Sequence, residues 1–226
     1  MPYTARPSVF YRDSRHVYRV SELDSFEWLV HGFGTRRSDI PALFANLATL
    51  KQIHSATCVP ALGRSGVLGE GDALLENLPG SVVAVRTADC IPVLLVDERR
   101  RAVAAVHAGW RGTAARIVPN AVASMGRRFG TGAGDLHAAI GPGIGKCCYE
   151  VGPEVAARFE GQEAAGQGRA HIDLAGANRR QLEEVGVTPG QIYASNLCTM
   201  CRPEEFHSFR RDREAAGRMH SFAGIH

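Results

Sequence analysis

No apolar run in this chain is long enough to cross a bilayer: the longest, "SVVAV" and "IPVLLV", fall far short of the roughly 20 residues a membrane helix needs. Aromatic residues are sparse, at 7%, and are not interleaved with arginine. That removes the stacking surface on which single-stranded nucleic acid is held. A net charge of +3 is too weak to argue for nucleic acid electrostatically. The first residues, "MPYTARPSVFYRDSRH", lack an apolar h-region, so a signal peptide is not expected and the protein is read as soluble and cytoplasmic. Nothing resembles a linker, a low-complexity tract or a repeat, and residues 1–226 are read as one domain.

Hydrophobic residues make up 45% and charged residues 22% of the chain, values that allow a real core. Arginine clusters in "DERRRA" and "SFRRDRE", and such runs are usually solvated faces. Six cysteines in a chain this long do not make a disulfide scaffold. In a reducing compartment they mean buried thiols, metal ligands or a nucleophile.

The clearest architecture lies in "SVVAVRTADCIPVLLVDERRRAVAAVHAGW". Three runs rich in Val, Ile and Leu, at about 81–86, 91–97 and 102–107, are bounded by "TADC", "DERR" and "AGWRG". "DERR" suits a hairpin connection, and the near-continuous apolar character predicts strands covered on both faces. Ile117, Val118, Ala121, Val122, Met125 and Phe129 then recur at helical spacing, with a kink or a start expected near Pro119. "DLHAAIGPGIG" predicts a strand entering a glycine-rich loop, "GPEVAARFE" and "DLAGANRRQLEEVG" predict helices, and "QIYASN" a further strand. The fold class expected is α/β (α+β): a layered sandwich of mixed sheets covered by helices, without strict βαβ alternation.

The strand expected at 102–107 ends on His107, and Cys90 sits at the break between the two preceding runs. If 91–97 and 102–107 pair as a hairpin, these two side chains meet at one sheet edge. His54, in "KQIHSA", supplies a second imidazole. One thiolate with two imidazoles is a ligand set for zinc that leaves a fourth position open. The same residues also suit a hydrolase dyad, with Cys90 as nucleophile and His107 as base. Equally, Cys90 suits a small buried hydrophobe. Spacing does not separate these readings.

"CTMC" gives Cys198 and Cys201 the C-x-x-C spacing of a zinc knuckle or a redox pair. Their available partners, Cys147 and Cys148, are adjacent and poorly suited to chelating one ion together, so separate reduced thiols are expected. "GPGIGKC" misses the phosphate-loop pattern, yet Gly141, Gly143 and Gly145 leave backbone N–H groups free to approach an anion. Arg36, Arg111, Arg210 and Arg211 sit beside glycine or aromatic residues and carry the fork geometry that binds phosphate or carboxylate. Asp72, in "GEGDALL", and Asp89, beside Cys90, are the best-placed carboxylates. Each fits a partner for a ligating His, a proton-transfer group or a turn former.

Taken together, "KQIHSA", "GDALL", "VRTADCIPVLLVD", "VAAVHAGWRGT", "AIGPGIGKCCYEVG", "NLCT" and "FHSFRRDREAAGRMHS" resemble, in order, the YfiH-type laccase-domain family, whose members are also called polyphenol oxidases, peptidoglycan editing factors and purine nucleoside phosphorylases. The resemblance spans roughly residues 28–222. It implies a sandwich of sheets between helices and a zinc site at His54, Cys90 and His107. It further implies phosphorolysis of adenosine, inosine and methylthioadenosine with adenosine deamination, so the partners expected are a purine nucleoside and phosphate, with no nucleic acid or membrane, acted on by a monomer or homodimer.

On that basis Cys90, His107, Asp89 and Arg111 are the expected catalytic residues, and Arg36, Arg210, Asp72 and Gly143 the expected substrate contacts. Copper is the alternative ion and phenol oxidation the alternative activity, although none of the nine histidines forms the H-x-H pairs characteristic of multicopper oxidases. A Cys90–His107 hydrolase acting on cell-wall precursors is the third reading. Two departures from the family pattern stand out. The N-terminal "TRxGGVS…SLNLG" segment is reduced here to "GFGTRRSDIPALFANLATL", and Phe209 and Arg213 stand where Tyr and Gly are common.

Overall fold

The computed structural model describes residues 9–159, 163–166 and 169–226. Six strands form one mixed sheet in the order Ile192–Ala194, Leu136–Ile140, Ile91–Asp97, Ala102–Ala108, Ala73–Glu76, Cys58–Pro60. A seven-stranded sheet runs Phe10–Arg12, Val17–Val20, Leu29–Gly34, Met219–Ile225, Ser81–Thr87, Leu47–Lys51, Gly66–Glu70. A small third sheet joins Glu150–Val151, Arg169–His171 and Glu163–Gly166.

Alternation along the strands explains the layering. Leu94 and Val96, with Val103 and Ala105, enter a core shared with Val83, Val85, Phe33 and Ala223 of the larger sheet. Their sequence neighbours Ile91, Val93, Leu95, Ala104 and Val106 face the other way, under the helices Ile117–Phe129 and Leu174–Glu184. Both strands are therefore buried along their whole length, as expected where both faces of a sheet are covered. The fold is a mixed α/β sandwich of two sheets, with helices Ile117–Phe129 and Leu174–Glu184 covering the outer face of the six-stranded one. No helix among the described residues is long and apolar enough to cross a membrane.

The hairpin predicted around "DERR" forms, with Val106 opposite Val93 and His107 opposite Pro92. The first of the three apolar runs belongs instead to the larger sheet, as Ser81–Thr87. "TADC" is thus the passage by which the chain leaves one sheet for the other. The predicted helical run divides into Trp110–Ala114 and Ile117–Phe129, separated at Arg116, whose φ of 60° is left-handed. Pro119 falls in the first turn of the second helix, where a missing N–H costs nothing, so it marks a start and not a kink. Helix Leu174–Glu184 is capped by the Asp173 carboxylate, which accepts the Gly176 N–H at 2.8 Å.

Among the described residues, the seven strands before residue 77 are three to six residues long, too short for alternation to stand out. Met219–Ile225 pairs on both sides and sits inside the larger sheet, although "MHSFAGI" has a mixed polar and small-residue pattern.

Candidate metal centre and its cleft

His107 shares the parity of Val103 and Ala105, so its side chain leaves the strand on the face turned toward the second sheet. It stands at the strand's end, where that core gives way to a cleft. The register that sets Val106 opposite Ala73 brings Asp72 alongside, and the His107 N–H donates to the Asp72 carbonyl at 2.7 Å. Cys90, at the passage between the sheets, and His54 complete a cluster with His107. Their ligand atoms all lie within 4.8 Å of one another, and the two imidazole rings meet edge to face at 4.9 Å.

Asp72 organises this cluster from beneath. Its carboxylate is 0% exposed. It accepts from His107 Nδ1 at 2.8 Å, from the backbone N–H groups of His54 and Ser55 at 3.0 and 2.6 Å, and from the Ser55 hydroxyl at 2.7 Å. Two consequences follow. The carboxylate holds a proton on Nδ1, so Nε2 is the ring nitrogen turned toward Cys90 and the cleft, and a metal bound there would displace the proton that Nε2 otherwise shares with the Cys90 sulfur. The turn that holds His54 at a left-handed φ of 59° is tied to the same group.

The electrostatics fit this geometry. Burial pushes the Asp72 carboxyl up, but the His107 and Ser55 hydrogen bonds outweigh it and bring it down to about 2. Burial likewise raises the Cys90 thiol, and the two histidines overcome that, lowering it to about 6. His107 is lowered by burial but raised to about 9 by Asp72 and Cys90. A thiolate is therefore available at neutral pH, the form in which cysteine binds metals or attacks carbon.

"HAGWRG" has a steric explanation here. A Cβ on Gly109 would stand 2.8 Å from Cys90 Sγ and 3.1 Å from His54 Cδ2, so a side chain at that position displaces two members of the cluster. A Cβ on Gly112 would meet the Ser55 carbonyl at 3.0 Å. Both glycines give space and not an unusual backbone.

The cluster opens into a cleft of about 720 Å³, within the range of small-molecule sites. Lys51, Arg86, Arg210 and Arg218 line it together with Asp89, Tyr149 and Phe209. Lys51 is paired with Glu70 at 2.8 Å. Among the described residues, Arg86, Arg210 and Arg218 have no carboxylate partner, so the wall carries surplus positive charge. Asp89 is held by the Thr199 hydroxyl at 2.6 Å and the Arg210 N–H at 2.7 Å. Arg210 also donates to the Glu150 carbonyl and lies 5.2 Å from the Tyr149 ring centre. Burial pushes the Tyr149 phenol up to about 12, which keeps it a proton donor.

Several expected contacts lie elsewhere. Asp72 touches the His107 ring and the turn of residues 53–55, with no exposed surface to offer a substrate. Gly143 is buried against Ile91 and the carbonyls of Asp89 and Cys90, so it packs the floor beneath the cluster. Arg111 stacks on Trp110 at 4.5 Å, and neither residue lines the cleft. Arg36 donates to the Pro203 carbonyl at 2.6 Å, also outside it. Arg211 is a strut and not a solvated charge: it donates to the carbonyls of Thr199, Met200 and Phe206. Tyr149, Arg86 and Arg218 come from three separate segments and carry no local signal that singles them out, although all three lie inside the quoted family motifs.

A layered α/β sandwich with a Cys–His₂ cluster at the passage between its sheets defines the class. The chain belongs to the multi-copper polyphenol oxidoreductase laccase family, whose model matches residues 36–226. It is 42% identical over 188 residues to a purine nucleoside phosphorylase of Deinococcus radiodurans, covering 80% of this chain and 70% of that protein. It is 41% identical over 164 residues to adenosine deaminase RL5 of an unknown prokaryotic organism, covering 69% of this chain and 62% of that protein. The crystal structure of YlmD from Geobacillus stearothermophilus superposes with a TM-score of 0.90 at 27% identity, over 97% of this chain and 99% of that one.

Proposed function

We propose that this chain is a metal-dependent enzyme that cleaves purine nucleosides with phosphate, acting on adenosine, inosine and methylthioadenosine, with adenosine deamination as a side activity. The observation that carries the reading is the joining, in one cleft, of a Cys–His₂ cluster and an uncompensated arginine wall. The donor set of one thiolate and two imidazoles fits zinc, with His107 Nε2 aimed at it by the Asp72 hydrogen bond to Nδ1. When bound there, zinc acts as a Lewis acid on an electron-rich substrate atom and lowers the pKa of a bound water.

The remaining work falls to the chain. In phosphorolysis the bond from the sugar C1′ to the purine nitrogen breaks, a phosphate oxygen bonds to C1′, and the purine takes up a proton. Arg86, Arg210 and Arg218 hold the phosphate by charge-assisted hydrogen bonds. Tyr149 and Phe209 offer aromatic faces to the base. Asp89, oriented by Thr199 and Arg210, accepts a hydrogen bond from the sugar or base and so fixes its position. Incubation with inosine and phosphate tests the reading, which expects hypoxanthine and ribose 1-phosphate in equal amounts. Absence of both refutes it.

One observation favours a second reading. Asp72, His107 and Cys90 also have the order of an orienting carboxylate, a base and a nucleophile. Iodoacetamide separates the two: a metal ligand is shielded when zinc is present, whereas a nucleophile reacts with and without it. Phenol oxidation by several coppers is less well supported, since among the described residues the metal-competent ligand groups contain no histidine besides His54 and His107.

A further inference from the structure

Cys147, Cys148, Cys198 and Cys201 converge beside Gly145, none of them lining the cleft, and their sulfurs all lie within 4.8 Å of one another. Cys147 Sγ stands 3.7 Å, and Cys148 Sγ 3.3 Å, from Cys201 Sγ. The expectation of four separate thiols fails for a local reason. Residues 146–148 form a helix-like turn in which Cys148 and Tyr149 both donate to the Gly145 carbonyl at 3.0 Å. In such a turn successive side chains diverge by about 100° instead of the 180° of a strand, so both sulfurs reach the same centre.

We propose that these four residues form a second, closed zinc site of four thiolates, distinct from the cluster at His54, Cys90 and His107. Zinc bonded to four sulfurs at about 2.3 Å places those sulfurs about 3.8 Å apart at the corners of a tetrahedron. The spacings of 3.3 and 3.7 Å fall within about 0.5 Å of that value and lie well beyond the roughly 2.05 Å of a disulfide. The Gly145 N–H donates to Cys198 Sγ at 3.3 Å, the outer support that a charged sulfur ligand receives in metal sites. Binding converts up to four thiols to thiolates and releases their protons to solvent, with no redox change.

The site's position gives it a task. It joins the 143–148 loop to the 197–201 segment, which otherwise meet through Gly143 and Thr199 backbone hydrogen bonds. Thr199, inside "CTMC", holds Asp89, and the Thr199 and Met200 carbonyls receive Arg211. A closed zinc here therefore braces the loop behind Cys90 without touching substrate.

Metal analysis of full-length protein prepared without added metal tests this, using Cys90→Ser and Cys201→Ser. We expect folded Cys90→Ser to retain about one zinc per chain, with an all-sulfur X-ray absorption shell. Cys201→Ser should lose that zinc while any metal at His54 and His107 remains. Should Cys201→Ser fail to fold, thiol titration of native Cys90→Ser decides: the cluster sulfurs should react slowly until a chelator removes zinc. A folded Cys90→Ser without zinc, with mononuclear iron in its place, or with the four cysteines freely reactive or disulfide-linked by mass, overturns the proposal. These outcomes are independent of whether the His54 site holds metal or the protein cleaves nucleosides.

Discussion

Replacing Asp72 with Asn tests whether one carboxylate organises the candidate centre. The change keeps the shape and removes the charge. An amide has one acceptor oxygen, yet this position receives His107 Nδ1–H and the N–H groups of His54 and Ser55. Whichever way the amide turns, its NH₂ faces a donor. It either opposes the Ser55 N–H, 2.6 Å from the native oxygen, or forces His107 to carry its proton on Nε2, the nitrogen offered to a metal in the proposed site. The native carboxyl is held at about 2 against an ordinary value of 3.8. That difference corresponds to about 2.5 kcal/mol of stability at neutral pH, and the buried donor left unpaired adds about 1 kcal/mol. We expect Asp72→Asn to lose about 3 kcal/mol in denaturant unfolding and to bind zinc 10–100-fold more weakly in chelator competition, the usual cost of losing such a partner. Ser55→Ala, which removes one hydroxyl hydrogen bond, should fall well below both effects. An Asp72→Asn protein that binds zinc as tightly as the parent would refute the reasoning.

Three further outcomes are expected. His31 is buried, with Nε2 accepting the Val20 N–H, and burial and then the Arg19 charge lower it to about 4. Its folded pKa lies below the unfolded value, so its contribution is present above about pH 6.5 and lost as pH falls toward 4. Urea unfolding should show the parent losing about 2 kcal/mol relative to His31→Gln between pH 7.5 and 5, and equal pH slopes would contradict this. Arg213 holds a φ of 51°, and Arg213→Gly should raise stability by about 1 kcal/mol, read as a higher melting temperature. Gly109→Ala should cost on the order of 100-fold in metal-dependent activity with a smaller effect on melting, because its Cβ meets Cys90 and His54 before any core residue. Unchanged kinetics would remove the steric account of that glycine.

Cys90 and His107 were legible because each punctuates an apolar run, whereas spacing left their joining with His54 open and the family resemblance supplied it. The hairpin register then follows from a four-residue connection. What stayed hidden depends on distance along the chain. Arg36 and Arg111 carry the same local signature as Arg210, but only Arg210 has the Asp89 carboxylate beside its backbone and the Glu150 carbonyl beside its guanidinium. The convergence of the four cysteines was hidden because adjacency in sequence argues against two side chains sharing one centre, whereas the hydrogen-bonded turn after Gly145 lets Cys147 and Cys148 do so. Short N-terminal strands, and the central strand Met219–Ile225, owe their place to partners and not to their own composition.

The peptide that crosses between the sheets also bears the sulfur of Cys90, and this gives the inter-sheet core an influence beyond stability. Val85 and Leu94 sit on opposite sides of that core and flank the crossing within a few residues. A change in how they fit alters the spacing of two β-layers, and the crossing spans that spacing. The hydrophobic filling thus works as a spacer gauge: its thickness sets where the Cys90 sulfur stands relative to the two imidazoles.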